Sequence, residues 1–312
     1  MDIRRQMVVR AAELYYEEAL NQNQIAKIMD ISRPTVSRLL EEGKANGVVE
    51  IVVHSPVRKN PQLSSQIRGK LNLRDVMVVA GIFDHEMAIK KCSFVASQFL
   101  LSIMESHYTL GISWGPQLAY LTDILEEQEL NNINVVQMVG CMGTGNSIYN
   151  GLELAMKISK KLHGTSSNIY APVYVKKKEV HQYLLQESQI ANTLKEASEV
   201  DVAIMGIGSL MNEKSTLSVT GYLTEEERQE LLSLGAVGHL LARFFDRDGV
   251  EVQLANKYVV SAPLDSLKHP KWSIGIAASA YKAESVLAAI RAGYINTLII
   301  DEALAEKLMV LI

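Results

Sequence analysis

Cysteine is scarce in this chain. Only Cys92 and Cys141 occur among 312 residues, far apart and in no Cys-x-x-Cys pair, which excludes a disulfide scaffold and a cysteine-rich zinc module. No apolar run approaches the roughly 18 uncharged residues that a membrane-spanning helix needs. The start, Met1-Asp2-Ile3-Arg4-Arg5, lacks the basic-then-apolar layout of a secretion signal. No Walker A sequence, six-residue dinucleotide fingerprint, internal repeat or low-complexity tract is present. The seven histidines (His54, His85, His107, His163, His181, His239 and His269) are scattered, with no His-x-x-x-His or His-Glu-x-x-His pair and no Ser-His-Asp signature. The expectation is a cytoplasmic protein with no membrane partner, no metal, no cofactor and no catalytic residues.

Charge of one sign is lacking as well. The chain has 31 Lys and Arg against 35 Asp and Glu, a net of −4, with 48% apolar and 21% charged residues, an ordinary globular mix. Residues 1–60 hold nine basic against eight acidic side chains, and the remainder holds 22 against 27. That asymmetry is too small to argue for nucleic-acid contact. The case must come from pattern.

Residues 3–18 carry Ile3, Met7, Val8, Ala11, Ala12, Leu14 and Tyr15 mostly at three- and four-residue spacings, one apolar helix face. Asn21 is placed to cap a second short helix through Met29, and Ser32 to cap a third running to about Ala45. Asn46-Gly47 ends that helix, and the β-branched run Val48–Val53 predicts a strand, the wing of the module. Ala26 is small where two crossing helices approach, while Ile25, Met29, Ile31, Val36 and Leu39 form a miniature helix-turn-helix core. The turn carries Asp30, which tolerates the left-handed conformation better than most residues.

On that reading the helix from Arg33 enters the major groove of DNA by its N-terminal end. Its candidate contacts are Ser32, Arg33, Pro34, Thr35, Ser37 and Arg38. Arginine reads guanine bidentately, and Ser or Thr reaches base edges or phosphate. Gln24 is a candidate phosphate clamp. The blander alternative is a three-helix cap whose polar face is merely solvated.

His54-Ser55-Pro56 and Arg58-Lys59-Asn60-Pro61 read as a break, followed by a helix with Leu63, Ile67 and Leu71 on one face. Beyond it the pattern repeats. Runs at Val76–Val79, Tyr108–Ile112, Val135–Val139, Val202–Met205, Ile274–Ala277 and Thr297–Ile300 predict strands. Helical patterns at Met87–Met104, Leu118–Leu130, Glu179–Glu199, Glu225–Leu232 and Lys282–Ala292 lie between them. Strands continuous in apolar residues and separated by helices imply an α/β, doubly wound, mostly parallel sheet covered on both faces. The organisation expected is a helix-turn-helix domain at 1–54, a linker and first helix at 55–75, and the α/β sheet domain at 76–312.

Ligands bind such sheets beyond the C-terminal strand ends. Gly111-Ile112-Ser113-Trp114-Gly115-Pro116-Gln117 follows the second strand and opens a helix. There small residues let backbone N–H groups and the helix N-terminus face an anion such as a sugar phosphate. Gly140-Cys141-Met142-Gly143-Thr144-Gly145-Asn146 and Gly206-Ile207-Gly208-Ser209 end two further strands. Each loop is also readable as a plain tight turn.

Several blocks carry a resemblance that spans nearly the whole chain. They are Ser32-Arg33-Pro34-Thr35-Val36-Ser37-Arg38-Leu39-Leu40, Gly111–Gly115, Asp201–Ser209, Gly235-Ala236-Val237-Gly238 ahead of Arg243-Phe244-Phe245-Asp246 and Gly249, and Gly293-Tyr294-Ile295-Asn296. In these the chain resembles the SorC family of bacterial transcription regulators, which join a winged helix-turn-helix to a domain similar in fold to sugar-phosphate isomerases and deaminases. The resemblance implies operator DNA as partner, a phosphorylated sugar or polyol as effector, and a homo-oligomer, dimer or tetramer. It puts the phosphate on Ser113–Gln117 with Lys282 nearby, and Asp246 against the sugar hydroxyls. The effector-binding candidates are therefore Gly111, Ser113, Trp114, Gly115, Gln117, Gly140, Gly143, Gly208, Asp246 and Lys282.

Two of these have competing readings. Asp246-Arg247-Asp248-Gly249 looks like a hairpin turn, with Arg243 positioned to hold Asp246, and Lys282 opens a helix where a solvated lysine is common. The family prefers Gly at Asp30, usually has Thr at Gln117, and often has paired glycines where this chain has Ala277-Ala278-Ser279. The function expected is a DNA-binding regulator of carbohydrate metabolism. The alternatives are a sugar-phosphate-processing enzyme and a dinucleotide sensor using Gly206-Ile207-Gly208.

Overall fold

A computed structural model describes residues 3–49, 57–142, 150–211 and 215–312. It divides into two compact units, Met1–Pro56 and Val57–Ile312.

In the smaller unit α1 (Ile3–Ala12) runs into a π-helical turn over Glu13–Glu17, followed by α2 (Gln22–Ile28) and α3 (Arg33–Ala45). Asn21 caps α2 by accepting from the amides of Asn23 and Gln24, while Gln24 Oε1 accepts from the Asn21 amide at 3.0 Å. This reciprocal box satisfies N–H groups that a helix start otherwise leaves open. Ser32 caps α3 through the Thr35 amide, with Pro34 in the first turn, where a missing N–H costs nothing. Val8, Ala11, Leu14, Ile25, Val36, Leu39 and Leu40 form the buried core, with Met29 and Ile31 packed against it. Gly43 lets α1 and α3 approach, since a Cβ there would meet Val8 at 3.3 Å. Asp30 has φ +52°, the left-handed turn expected of it. Val48 and Val49 form no strand; the Val49 amide bonds back to Gly43 O. The rest of the predicted wing lies outside the described residues.

The larger unit is built on seven strands. In spatial order they are β1 (Asp75–Val79), β13 (Thr297–Asp301), β12 (Trp272–Ala277), β6 (Val202–Gly206), β2 (Thr109–Ile112), β3 (Asn134–Gln137) and β4 (Thr165–Ser167). Every neighbouring pair is parallel. All six strands expected from the sequence lie in this sheet, and β12 and β13 are buried almost throughout, so helices cover both faces. The polar edge strand β4 has no apolar run to betray it. A second, antiparallel sheet joins β7 (Gly208–Ser209), β8 (Ala236–Leu240), β9 (Arg243–Asp246) and β10 (Glu251–Val252), and β5 (Tyr174–Val175) pairs with β11 (Tyr258–Val259).

The connections set the site. From β2 the chain moves outward through β3 to β4; it then returns to β6 and moves the other way through β12 to β13. The direction reverses between the adjacent strands β2 and β6. Such a switch point opens a crevice at the C-terminal strand ends, because the two following connections leave in opposite directions.

Helices α4 (Pro61–Leu71), α5 (His85–Ile103), α6 (Pro116–Ile124), α7 (Gly151–Lys161), α8 (Lys178–Gln186) and α9 (Ser188–Ser198) precede β6 in sequence. After it come α10 (Thr216–Val219), α11 (Glu225–Ser233), α12 (Ala283–Arg291) and α13 (Glu302–Leu311). The helix expected over Leu118–Leu130 ends at Ile124. Lys161 Nζ reaches back to the carbonyls of Asp123 and Leu125 at 2.9 and 2.7 Å, a cation on the helix's negative end. The single helix expected over Glu179–Glu199 is two, divided at Glu187, whose ψ of 121° is extended.

Asp30 gives a direct test of the turn. Asp30→Gly removes the Cβ penalty at φ +52° and is expected to raise the stability of the helix-turn-helix unit by about 0.5–1 kcal/mol. Asp30→Val is expected to lower it by about 1–2 kcal/mol. Thermal denaturation followed by far-ultraviolet circular dichroism reads both.

Candidate functional site

On the helix-turn-helix unit, Ser32, Arg33, Pro34, Arg38 and Gln24 are exposed, and Thr35 and Ser37 are half-buried. Arg4 pairs with Glu42, and Arg10 with Glu13 and Glu18. Arg33 and Arg38 make no ion pair among the described residues. Two long cations at the start of α3 are thus held in water, ready for an external anion. Ser32 Oγ and Thr35 Oγ1 bond each other at 2.8 Å, so both hydroxyls are engaged in starting the helix. Gln24 likewise uses its carbonyl oxygen in the cap of α2.

In the larger unit one cleft lies over the C-terminal ends of β2, β6 and β12, at the switch point. Trp114, Gly115, Pro116 and Gln117 come from the turn after β2, and Gly206 to Ser209 from the end of β6 and the start of β7. Tyr281 and Lys282 follow β12, His239 comes from β8, and His85 and Ile89 come from α5. Helix α6 starts here from Gly115 at φ +123°, a conformation that favours glycine, with Pro116 in its first turn. No side chain caps that start. The positive end of the helix dipole and its leading N–H groups therefore face the cleft, an arrangement that suits an oxyanion.

The electrostatics centre on Lys282. Its side chain is buried, and Nζ donates to Ile207 O at 3.0 Å. Burial pushes its ammonium down to about 8, opposed by Cys92 and Asp301. His85 donates to or accepts from Ser279 Oγ through Nδ1 at 2.8 Å; its pKa is lowered by burial and then by the charge of Lys282. His239 is pushed down to about 3 by burial and by the same lysine, so it is neutral at any physiological pH. Of these three basic groups only Lys282 stays largely charged at neutral pH, so it is the one that favours an incoming anion.

Among the described residues four buried side-chain polar atoms lack a partner, and two of them belong to cleft residues: Trp114 Nε1 and His239 Nε2. Each such atom costs about 1–3 kcal/mol relative to a satisfied one. The indole edge of Trp114 lies toward Gly151, whose added Cβ would meet Cδ1 at 3.4 Å. The His239 ring lies against Gly208, where a Cβ would fall 1.9 Å from Nε2. The cavity holds about 60 Å³, room for a few waters and less than the roughly 300–1,000 Å³ of small-molecule pockets. A sugar phosphate enters only if the side chains filling it move.

The structure brings Trp114, Gly115, Gln117, Gly208 and Lys282 together in this cleft. It does not bring Gly111, Ser113, Gly140 or Asp246 there. Gly111 is a packing residue, since a Cβ would meet Met138 Sδ at 2.6 Å, and Gly140 lets two backbones pass, with Pro172 O at 2.8 Å. Ser113 Oγ donates to Trp114 O at 3.4 Å. The Asp246 carboxylate accepts from the amides of Asp248 and Val250 at 2.9 Å, which makes it the turn residue of the β9–β10 hairpin. Arg243 does not hold it; that guanidinium bonds Ser261, Ala262 O and Glu251. Gly143 lies outside the described residues. Sequence reasoning missed His85 and His239, which lie 154 positions apart and meet only through the fold.

Fold and site together define a class: a helix-turn-helix unit joined to a doubly wound α/β unit with its cleft at the switch point. The chain matches the Sugar-bind family, a sugar-binding domain, over residues 55–310 and belongs to that family. Its resemblance to SorC regulators extends to three dimensions. The full-length sorbitol operon regulator SorC from Klebsiella pneumoniae superposes with a TM-score of 0.73 at 26% identity, covering 97% of this chain and 98% of that one. The transcriptional regulator YjhU of Escherichia coli (strain K12) is 28% identical, over 97% of this chain and 94% of its own. The deoxyribonucleoside regulator of Bacillus subtilis (strain 168) is 27% identical, over 98% of both chains. Among the described residues no helix is long and apolar enough to cross a membrane.

The state of His239 is open to test. An unfolded histidine takes up a proton below about pH 6.5, whereas the folded one resists until about 3. The unfolded chain therefore binds more protons across that window, and acid removes stability. His239→Leu is expected to lessen the loss between pH 7 and 4.5 by about 2–3 kcal/mol, measured by urea denaturation at each pH.

Proposed function

We propose that this protein is a cytoplasmic transcription regulator of carbohydrate metabolism whose grip on operator DNA depends on a phosphorylated sugar or polyol in the cleft at the switch point. The carrying observation is the convergence of the uncapped α6 start with the buried Lys282, in a chain whose other unit presents Arg33 and Arg38 with no ion pair among the described residues. A phosphate dianion would take Lys282 from the Ile207 carbonyl and lie on the α6 amides, gaining a charge-assisted bond to a buried ammonium. The transcription-regulator names of the relatives support the reading. A homo-oligomer presenting two recognition helices would read paired half-sites, and a ligand that favours one arrangement of subunits would change their spacing.

An enzymatic reading is weaker. His85 bonds Ser279, but Asp301 accepts from the Ser279 amide and not from the imidazole, so these three do not form a nucleophilic triad. A dinucleotide reading fails on Gly206-Ile207-Gly208 itself. The pyrophosphate fingerprint needs a helix directly after its glycines, whereas here the chain enters β7 and pairs with β8.

Two measurements test the proposal. In a thermal-shift panel of sugars and polyols with and without phosphate, one phosphorylated compound at 100 times its dissociation constant is expected to stabilise the chain by about 2.7 kcal/mol. Lys282→Ala is expected to abolish that shift. A shift from the unphosphorylated form alone would refute the phosphate site. In fluorescence anisotropy on a duplex selected from a random pool, Arg33→Ala and Arg38→Ala are each expected to weaken binding about tenfold or more. Unchanged affinity in both would refute the placement of α3 on DNA.

A further inference from the structure

His239 is a costly residue to keep where it is. Its side chain is more than nine-tenths buried, lines the cleft beside Lys282, and leaves Nε2 without a partner among the described residues. Room for the ring exists only because position 208 carries no Cβ. Its one aromatic neighbour, Phe244, meets it edge-on with centroids 5.9 Å apart, a contact that a leucine or phenylalanine would serve as well. Packing alone explains the ring's bulk but gives no use for its nitrogen.

The neighbouring polar groups are already engaged. Lys282 Nζ is on Ile207 O, the Ser209 hydroxyl lies between Tyr281 O and the Met211 amide, and His85 Nδ1 is on Ser279. A neutral imidazole offers one donor and one acceptor nitrogen. Among the described residues none offers Nε2 a partner, so it bonds either the water that the cavity has room for or a ligand that displaces it, and that partner must suit a neutral ring.

We propose that His239 is the specificity residue of the cleft, pairing through Nε2 with a hydroxyl of the phosphorylated ligand and so selecting that ligand over its deoxy counterpart. The inference rests on the phosphate reading of the cleft given above. A hydroxyl both donates and accepts, so it satisfies Nε2 in either tautomer. A methylene in its place leaves the ring nitrogen buried and unpaired. Sites built to bond a hydroxyl reject the analogue lacking it far more strongly than apolar pockets reject a change in size.

The test is isothermal titration calorimetry on the full chain. The panel is glucose 6-phosphate, ribose 5-phosphate and glycerol 3-phosphate, each beside a deoxy counterpart, with sorbitol 6-phosphate and inorganic phosphate as references. Wild-type protein is expected to bind one hydroxylated member at least tenfold more tightly than its deoxy form. His239→Leu is expected to bring the two within about twofold of each other, and His239→Gln to restore part of the ratio. The empty His239→Leu chain is expected to melt no lower than wild type, because an unpaired polar atom has been removed.

A ratio unchanged in His239→Leu, or one that favours the deoxy compound in wild type, would overturn the specificity role alone. A large drop in the melting temperature of the empty variant, recovered in His239→Gln without recovery of the ratio, would make the residue structural. If no compound binds wild type, inorganic phosphate included, the phosphate reading falls and this inference with it. Binding that is lost in Lys282→Ala but indifferent to His239 leaves the phosphate reading standing.

Discussion

Everything at the cleft depends on the reversal of strand order between β2 and β6. Two parallel strands lie side by side, and the chain leaves their C-terminal ends in opposite directions. No single connection can cover both ends, so a gap is unavoidable. The residues in it come from five stretches of sequence, namely the turn after β2, the β6–β7 junction, the start of α10, the start of α12 and the first two turns of α5, with His239 added from β8. The gap is a property of the winding; its chemistry is a property of the residues placed around it.

That chemistry opposes stability. A buried ammonium held by one carbonyl, an imidazole with an unpaired nitrogen, a helix start with no capping side chain and a serine at φ +81° each sit within or beside the same gap. Elsewhere many helix starts are conventional. Helix starts at Asn21, Ser32, Asn60, Asp84, Asn150 and Thr224 are capped by their own side chains. Several such departures meet at this one gap, although others occur elsewhere, at the uncapped starts of α8, α9 and α13 and at Leu241 and Ala242, both at positive φ.

Much of this was legible in the residues. Six branched apolar runs announced the strands of the large sheet, and Ser32, Asn21 and Asp30 announced the helix-turn-helix, because caps and turns are decided by local chemistry. The loop Trp114–Gln117 and Gly208 were also found, since a glycine-rich turn after a strand is a local signal, whereas Lys282 came only from the resemblance to SorC regulators. What failed depends on distance. The small antiparallel sheet is made of pieces as short as two residues, too short for a period to show. The end of α6 is set by Lys161, 37 residues beyond it. Asp246 looked equally like a ligand group and a turn, and only the amides of Asp248 and Val250 decide for the turn. His239 carries no motif of its own.

The contact between His239 and Gly208 also bears on how this chain can change over generations. The backbone at position 208 is not in the left-handed region, and the nearest atoms that a Cβ there would meet all belong to the imidazole. The order of substitution then matters. A side chain arriving first at 208 collides with the ring and is lost, whereas a smaller residue arriving first at 239 frees 208 to vary. A chain without the histidine could explore cleft shapes closed to this one, and the way back would be barred once 208 had grown.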